Sequence, residues 1–138
     1  MKYFTKTTLI FIMLFSSYSF AEIAIVVNAS NKTTLSDNDI KRAFMGKLKK
    51  YSNGDKILVL NLKFGSVTRN EFDKKALKKS SSQIKAYWSK LVFSGKGKPP
   101  PELVSDKDVL ALVSSDSNAI GYVDAENVDD TVRVVKRF

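Results

Sequence analysis

The stretch Gly-Ser-Val-Thr-Arg, residues 65–69, combines the residue types best suited to hold a small anion. Gly65 lets the backbone turn sharply, and Ser66 stands where the N-cap of a helix is expected. The backbone N–H groups of Val67, Thr68 and Arg69 would then lack partners, and the helix dipole would favour negative charge beside them. The stretch therefore predicts an anion site in which Ser66 and Thr68 donate hydroxyls and Arg69 is an optional charge partner.

A simpler interpretation of the same residues is that Ser66 only caps a helix. Serine is among the commonest N-cap residues, and capping alone explains its position. The residue types by themselves leave both interpretations open.

The composition excludes several other kinds of chemistry. The chain has 138 residues without Cys or His, which excludes thiol nucleophiles, disulfides, the usual zinc sites and imidazole proton shuttles. We also find no carboxylate pair in a glycosidase-like pattern, so an enzyme is not expected. The formal net charge of +9 favours anionic partners. We expect no cofactor and no metal.

The N-terminus has the pattern of a secretory signal peptide over residues 1–21. Lys2 and Lys6 precede a short apolar run, Leu9–Phe15, and Ser19-Phe20-Ala21 matches a small-x-small cleavage site. The apolar run is too short for a stable membrane span. We therefore expect a periplasmic protein whose mature part, residues 22–138, carries a net charge of +7.

The mature part alternates between strand and helix patterns. Continuous β-rich runs at Ile23–Val27, Ile57–Leu60 and Ile120–Val123 indicate strands covered on both faces, and Thr131–Val135 is expected to be a last strand. The helices between them are expected to be capped by Ser36 with Asp39, by Ser66, by a residue near Ser82, and by Ser105 with Asp108. This order predicts a three-layer α/β sandwich with a largely parallel sheet.

Two helices carry a clear apolar stripe. The third has Ile84, Tyr87, Trp88, Leu91 and Val92 at helical spacing, and the fourth has Val109, Leu112 and Val113. We expect Ile84, Tyr87, Trp88 and Leu91 of the third helix to face the core. The lysines at 74, 75, 78 and 79 have no interleaved aromatics, so they indicate a solvated face and no nucleic-acid partner.

Four motifs in register resemble the periplasmic phosphate-binding proteins of ABC importers. They are Leu35-Ser36-x-x-x-Ile40-x-x-x-Phe44-x-Gly46-Lys47, Gly65-Ser66-x-Thr68-x-x-x-Phe72, Tyr87-Trp88-x-x-x-x-Phe93-x-Gly95-Lys96-Gly97 and Asn118-Ala119-Ile120-Gly121-Tyr122-Val123. The resemblance covers the chain from Ile23 to about Val135. It implies the type 2 periplasmic binding protein fold, in which two α/β lobes clamp an anion, but the mature part is long enough for only one lobe.

The resemblance also implies a role for individual residues. Ser66 and Thr68 match the hydroxyl ligands of the family, whereas Phe64 stands where its phosphate-specific members have an acidic residue that accepts the phosphate proton. A weak, poorly selective module for phosphate-like oxyanions is therefore expected. The alternative is an envelope interaction protein that kept the lobe and lost the ligand. Expected partners are the anion, and an envelope or transporter protein or a second copy of the chain.

Overall fold

The computed structural model describes residues 21–138, so the predicted signal peptide lies outside the described residues except for Ala21. The strands are β1 (Ile23–Asn28), β2 (Leu58–Val59), β3 (Asn61–Leu62), β4 (Glu102–Leu103), β5 (Ala119–Asp124) and β6 (Val132–Arg137). The helices are α1 (Asp37–Phe44), α2 (Val67–Phe72), α3 (Ser81–Phe93) and α4 (Asp106–Ser115). A π-helical segment, Asp73–Leu77, continues α2, and a short 3₁₀ turn follows β5.

The main sheet has the strand order β2-β5-β1-β6, and a second small sheet pairs β3 with β4. β1 runs antiparallel to both β5 and β6, whereas β2 runs parallel to β5. The expectation of a largely parallel sheet is therefore wrong, and the sheet is mixed. Alternation of strands and helices reveals the order of elements along the chain, but it does not reveal which strands become neighbours or in which direction they pair.

Helices cover both faces of the main sheet, which confirms the predicted three layers. On one face, a Cβ at Gly121 would lie only 2.6 Å from Cγ1 of Val109, so glycine lets α4 pack directly on β5. On the other face, the ring of Tyr122 stacks on Phe72 at the end of α2, with a centroid distance of 3.8 Å. The ring of Phe44 from α1 lies 5.7 Å from the same tyrosine.

The position of β1 in the fold accounts for its apolar sequence. Every residue of Ile23–Val27 is fully buried, because β1 lies between two neighbouring strands and between two helical layers. A strand covered on both faces needs apolar residues at successive positions, and this segment provides them.

Serine caps begin the long helices as expected. Ser36 accepts a hydrogen bond from the N–H of Asp39, whose carboxylate accepts one from Ser36 in return. The third helix begins at Ser81, slightly earlier than expected, with a capping box between Ser80 and Gln83. No helix within residues 21–138 is long and apolar enough to cross a bilayer.

The apolar stripes are only partly buried. Ile84 and Trp88 of α3 lie in the core, and Tyr87 and Leu91 pack against it half-buried. Val92, at the end of the same helical pattern, is 53% exposed. In α4 the buried neighbour of Val109 is Leu110, while Leu112 is partly exposed, which corrects the stripe expected there. Helical spacing defines a face, but the width and length of that face in contact with the sheet depend on how far the neighbouring layer reaches.

Candidate functional site

The predicted anion loop lies between the end of β3 and the start of α2. Gly65 has φ of +88°, which is the left-handed conformation that glycine adopts at no steric cost. The N–H of Ser66 donates to the carbonyl of Lys63 at 3.3 Å, which closes the turn. The structure therefore places Gly65 to Arg69 at the strand-to-helix junction that the sequence predicted.

The first turn of α2 leaves backbone donors available. The N–H of Arg69 donates to Oγ of Ser66 at 3.1 Å, so Ser66 is an N-cap. The N–H groups of Val67 and Thr68 have no acceptor among residues 21–138. Ser66 and Thr68 are half-buried and Val67 is exposed, so these amides and hydroxyls can reach a solvent-borne ligand.

The side chain of Arg69 is turned into the protein. It is only 2% exposed, and its Nη1 donates to the carbonyl of Leu62 at 2.8 Å and to Oε2 of Glu102 at 2.9 Å. Its guanidinium carbon lies 3.4 Å from the ring centroid of Phe64. The structure thus gives the charge of Arg69 internal partners and does not direct it to the loop surface.

A buried carboxylate stands beside this arginine. Oδ2 of Asp73 lies 3.7 Å from Nε of Arg69 and accepts a hydrogen bond from the hydroxyl of Ser81 at 3.4 Å. Among the described residues, Nε of Arg69 and Oδ1 of Asp73 have no hydrogen-bond partner. Burial raises the pKa of Asp73 to about 6, although Arg69 and Ser81 oppose the rise.

Asp73 leads to a specific prediction about stability and pH. Its pKa is about 6 in the folded protein against an ordinary value of 3.8, so the folded state retains a proton that the unfolded state releases between these values. The contribution of Asp73 to the free energy of unfolding is therefore full below about pH 4 and is lost by about pH 6.5. The loss is about 3 kcal/mol.

The measurement is urea unfolding of the wild type and Asp73→Asn across this pH range. Carboxylates elsewhere titrate equally in both proteins, so the difference between the two free energies isolates Asp73. As the pH rises from about 4 to about 6.5, we expect the free energy of unfolding of the wild type to fall by about 3 kcal/mol relative to that of Asp73→Asn. A constant difference would contradict the raised pKa.

Sequence reasoning missed Glu102. Its Oε2 accepts hydrogen bonds from the N–H of Phe64 at 3.1 Å and from Arg69, so a carboxylate of the protein itself sits beside the loop. Glu102 comes directly after three prolines and carries no local signal of this role. The pairing of Asp73 with Arg69 did have a signal in the sequence, because an Arg and an Asp four residues apart on a helix lie on the same face.

The end of β3 is held by a buried hydroxyl. The N–H of Leu62 donates to Oη of Tyr122 at 3.2 Å, and the hydroxyl of Tyr122 donates to Oδ1 of Asn61. A phenol keeps its proton at neutral pH, and burial raises the pKa of Tyr122 further, so its hydroxyl is a donor. These bonds fix the strand from which the loop departs.

The start of α4 lies beside the loop. Thr68 lines an open groove of about 650 Å³, and Ser105 and Lys107, from the N-terminus of a second helix, line the same groove. Asp106 and Asp129 line the same groove, and their charges oppose an anion there. Sequence reasoning identified Ser105 only as a cap and did not place it near Thr68.

Residues 21–138 contain no group of three or more His, Cys, Asp or Glu side chains close enough to hold a metal ion. The groups that the start of α2 offers to a ligand are the backbone amides of Val67 and Thr68 and the hydroxyls of Ser66 and Thr68.

No protein-family model matches the chain, and no curated protein matches it either. Solved structures do. An ABC-type phosphate transport receptor from Vibrio cholerae superposes with a TM-score of 0.66 at 21% sequence identity. A second match is a protein from Clostridium perfringens, described as a phosphate ABC transporter substrate-binding protein and solved with bound phosphate, with a TM-score of 0.62 at 24% sequence identity. PstS from Borrelia burgdorferi superposes with a TM-score of 0.61 at 14% sequence identity.

These matches cover most of this chain but less than half of each relative. They include 84% of this chain against 46% of the Vibrio receptor, 84% against 45% of the Clostridium protein, and 85% against 48% of the Borrelia protein. The likeness that the four motifs indicated is confirmed at the level of the fold. The chain therefore shares its fold with about half of a phosphate ABC transporter substrate-binding protein.

Proposed function

We propose that the protein binds small oxyanions such as phosphate and sulfate at the loop formed by residues 65–69. The observation that carries the proposal is the start of α2, where the N–H groups of Val67 and Thr68 have no acceptor among residues 21–138. The hydroxyls of Ser66 and Thr68 stand on the same turn. Unpaired amides and the helix dipole together favour an anion at such a terminus.

Binding at this loop should be weak and poorly selective. The side chain of Arg69 is engaged with Glu102, and Phe64 offers no carboxylate that could accept the proton of hydrogen phosphate. A ligand at a single lobe remains hydrated on one side, so the protein donors act in a medium of high dielectric constant. Phosphate and sulfate should therefore bind within about tenfold of each other, which is about 1.4 kcal/mol.

The proposal includes export and a binding role without catalysis. The pattern of residues 1–21 favours delivery to the periplasm, where such an anion carrier would serve a transporter. Affinity in the micromolar range or better would require a second surface over the loop, and a second copy of the chain or a transporter subunit would provide it.

The test is a titration with phosphate and with sulfate in which the amide NMR signals of residues 65–69 are monitored. We expect shifts of Val67 and Thr68 at millimolar concentrations in the wild type. Ser66→Ala/Thr68→Ala should abolish these shifts, while the loss of the cap lowers stability by only about 1 kcal/mol.

Ser36→Ala is the matched control, because Ser36 caps α1 in the same way without belonging to the loop. It should lose similar stability and keep the anion response. If the wild type gives no response at millimolar phosphate or sulfate, the loop is only a helix cap and the proposal is wrong.

A second candidate function is an envelope interaction protein that does not need the anion. The observation that favours it is that Arg69, the charged residue of the loop, already donates a hydrogen bond to Glu102 of the same protein. Large apolar side chains are also exposed nearby, including Phe93, which is 97% exposed. Apolar side chains gathered on a surface are typical of a binding face.

A further inference from the structure

An apolar groove lies beside the loop and is separate from the proposed anion donors. It has a volume of about 410 Å³ and contains side chains from β3, α3 and the proline-rich segment that follows α3. Its apolar lining consists of Phe64, Trp88, Val92, Phe93, Pro99 and Pro100. Volume and lining resemble those of sites that receive apolar groups of a ligand.

One lysine lines this groove, and other lysines lie in the chain segments that form it. Lys85 lines it directly. In the sequence, Lys63, Lys90 and Lys98 are each next to a residue that lines the groove, and Lys96 lies in the loop after α3. Within residues 21–138 none of these five lysines has a carboxylate within 4 Å. The carboxylate that lines the groove belongs to Glu102, and Arg69 already neutralises it.

We infer that this groove binds a segment of another protein that carries apolar side chains next to carboxylates. The apolar side chains would enter between α3 and the prolines, and the carboxylates would face the lysines. This inference rests on the second candidate function, the interaction role, and does not require an anion at the loop.

Charge and shape favour this occupant over two others. Two copies that met through this groove would bring Lys85 of each, and the lysines of the adjacent segments, towards each other, and like charges disfavour such a contact. A membrane presents a flat surface, whereas Pro99, Pro100 and Trp88 line a recess that single side chains of a protein segment can enter. A segment with both apolar and acidic side chains fits this surface, because its apolar side chains can enter the recess while its carboxylates pair with the lysines.

The test begins with selection of random dodecapeptides displayed on phage against the purified protein. We expect enriched sequences that carry an aromatic or branched apolar residue beside at least two Asp or Glu residues. The synthesised peptides should bind the wild type in the micromolar range, and binding should weaken as salt concentration rises.

Two pairs of variants locate the binding surface. Val92→Ser/Phe93→Ala should lower the affinity of these peptides at least tenfold, whereas Leu112→Ala, a similar change at an exposed apolar residue of α4, should leave it unchanged. Lys85→Glu should lower the affinity. Lys107→Glu changes the net charge equally, but Lys107 lines the other groove, the one with Thr68, so this variant should have little effect on peptide binding.

Several outcomes would overturn the inference. Enriched peptides without acidic residues, or peptides that bind the groove variants normally, would contradict it. Groove-dependent binding to phosphatidylglycerol vesicles in the absence of peptide binding would assign the surface to a membrane. Sedimentation as a dimer that Val92→Ser/Phe93→Ala dissociates would assign it to a second copy. The phosphate titration tests the anion site at the loop, and the peptide experiments test the groove. A negative titration would therefore contradict only the anion proposal.

Discussion

Arg69→Ala should lower the free energy of unfolding by about 3–5 kcal/mol at pH 7.5. The substitution leaves the carboxylate of Asp73 buried without its cation, and the carbonyl of Leu62 loses the donor that Arg69 provides. An unpaired buried charge is costly because it loses the hydration that it has in the unfolded chain. Urea unfolding followed by Trp88 fluorescence measures the effect.

Two further variants separate this cause from others. Arg69→Ala/Asp73→Asn removes the buried charge as well and should recover part of the lost stability. Lys75→Ala breaks the half-exposed pair with Glu71 on the same helical stretch and should cost less than about 1 kcal/mol. If Arg69→Ala retains wild-type stability but loses the anion response, Arg69 acts as a charge partner of the ligand and the structural role is wrong.

Trp88→Ala should destabilise the protein by a similar amount, about 3–5 kcal/mol. The indole is 6% exposed and is packed edge-on against Tyr87, with ring centroids 5.1 Å apart. It also covers Gly46, where an added Cβ would lie 3.0 Å from the indole. Truncation would leave a cavity beneath α3 that the surrounding backbone fills only in part.

Phe93→Ala provides a control on the same helix. Its ring is exposed, so its removal should change the free energy of unfolding by no more than about 0.5 kcal/mol. Chemical denaturation monitored by circular dichroism compares the two variants directly. An effect of Trp88→Ala below about 1 kcal/mol would show that Trp88 does not support the core.

Local features of this protein follow from its sequence. Ile23–Val27 predicted a strand covered on both faces, and Ser36 with Asp39 predicted a capped helix, because both features depend on neighbouring residues alone. The strand-to-helix junction at Gly65 and Ser66 was predictable for the same reason. The order of four motifs also indicated the fold that the solved structures share.

Features that depend on distant residues were decided by the tertiary structure. The sheet is mixed because β1 pairs with β5 and β6, which lie far along the chain, and alternation of elements does not define such neighbours. Arg69 looked available to a ligand until the fold brought Glu102, 33 residues away, to within 2.9 Å of its Nη1. A spacing pattern determines which residues share a face, whereas the partner of that face, and therefore its burial and charge, is set only when separate segments pack together.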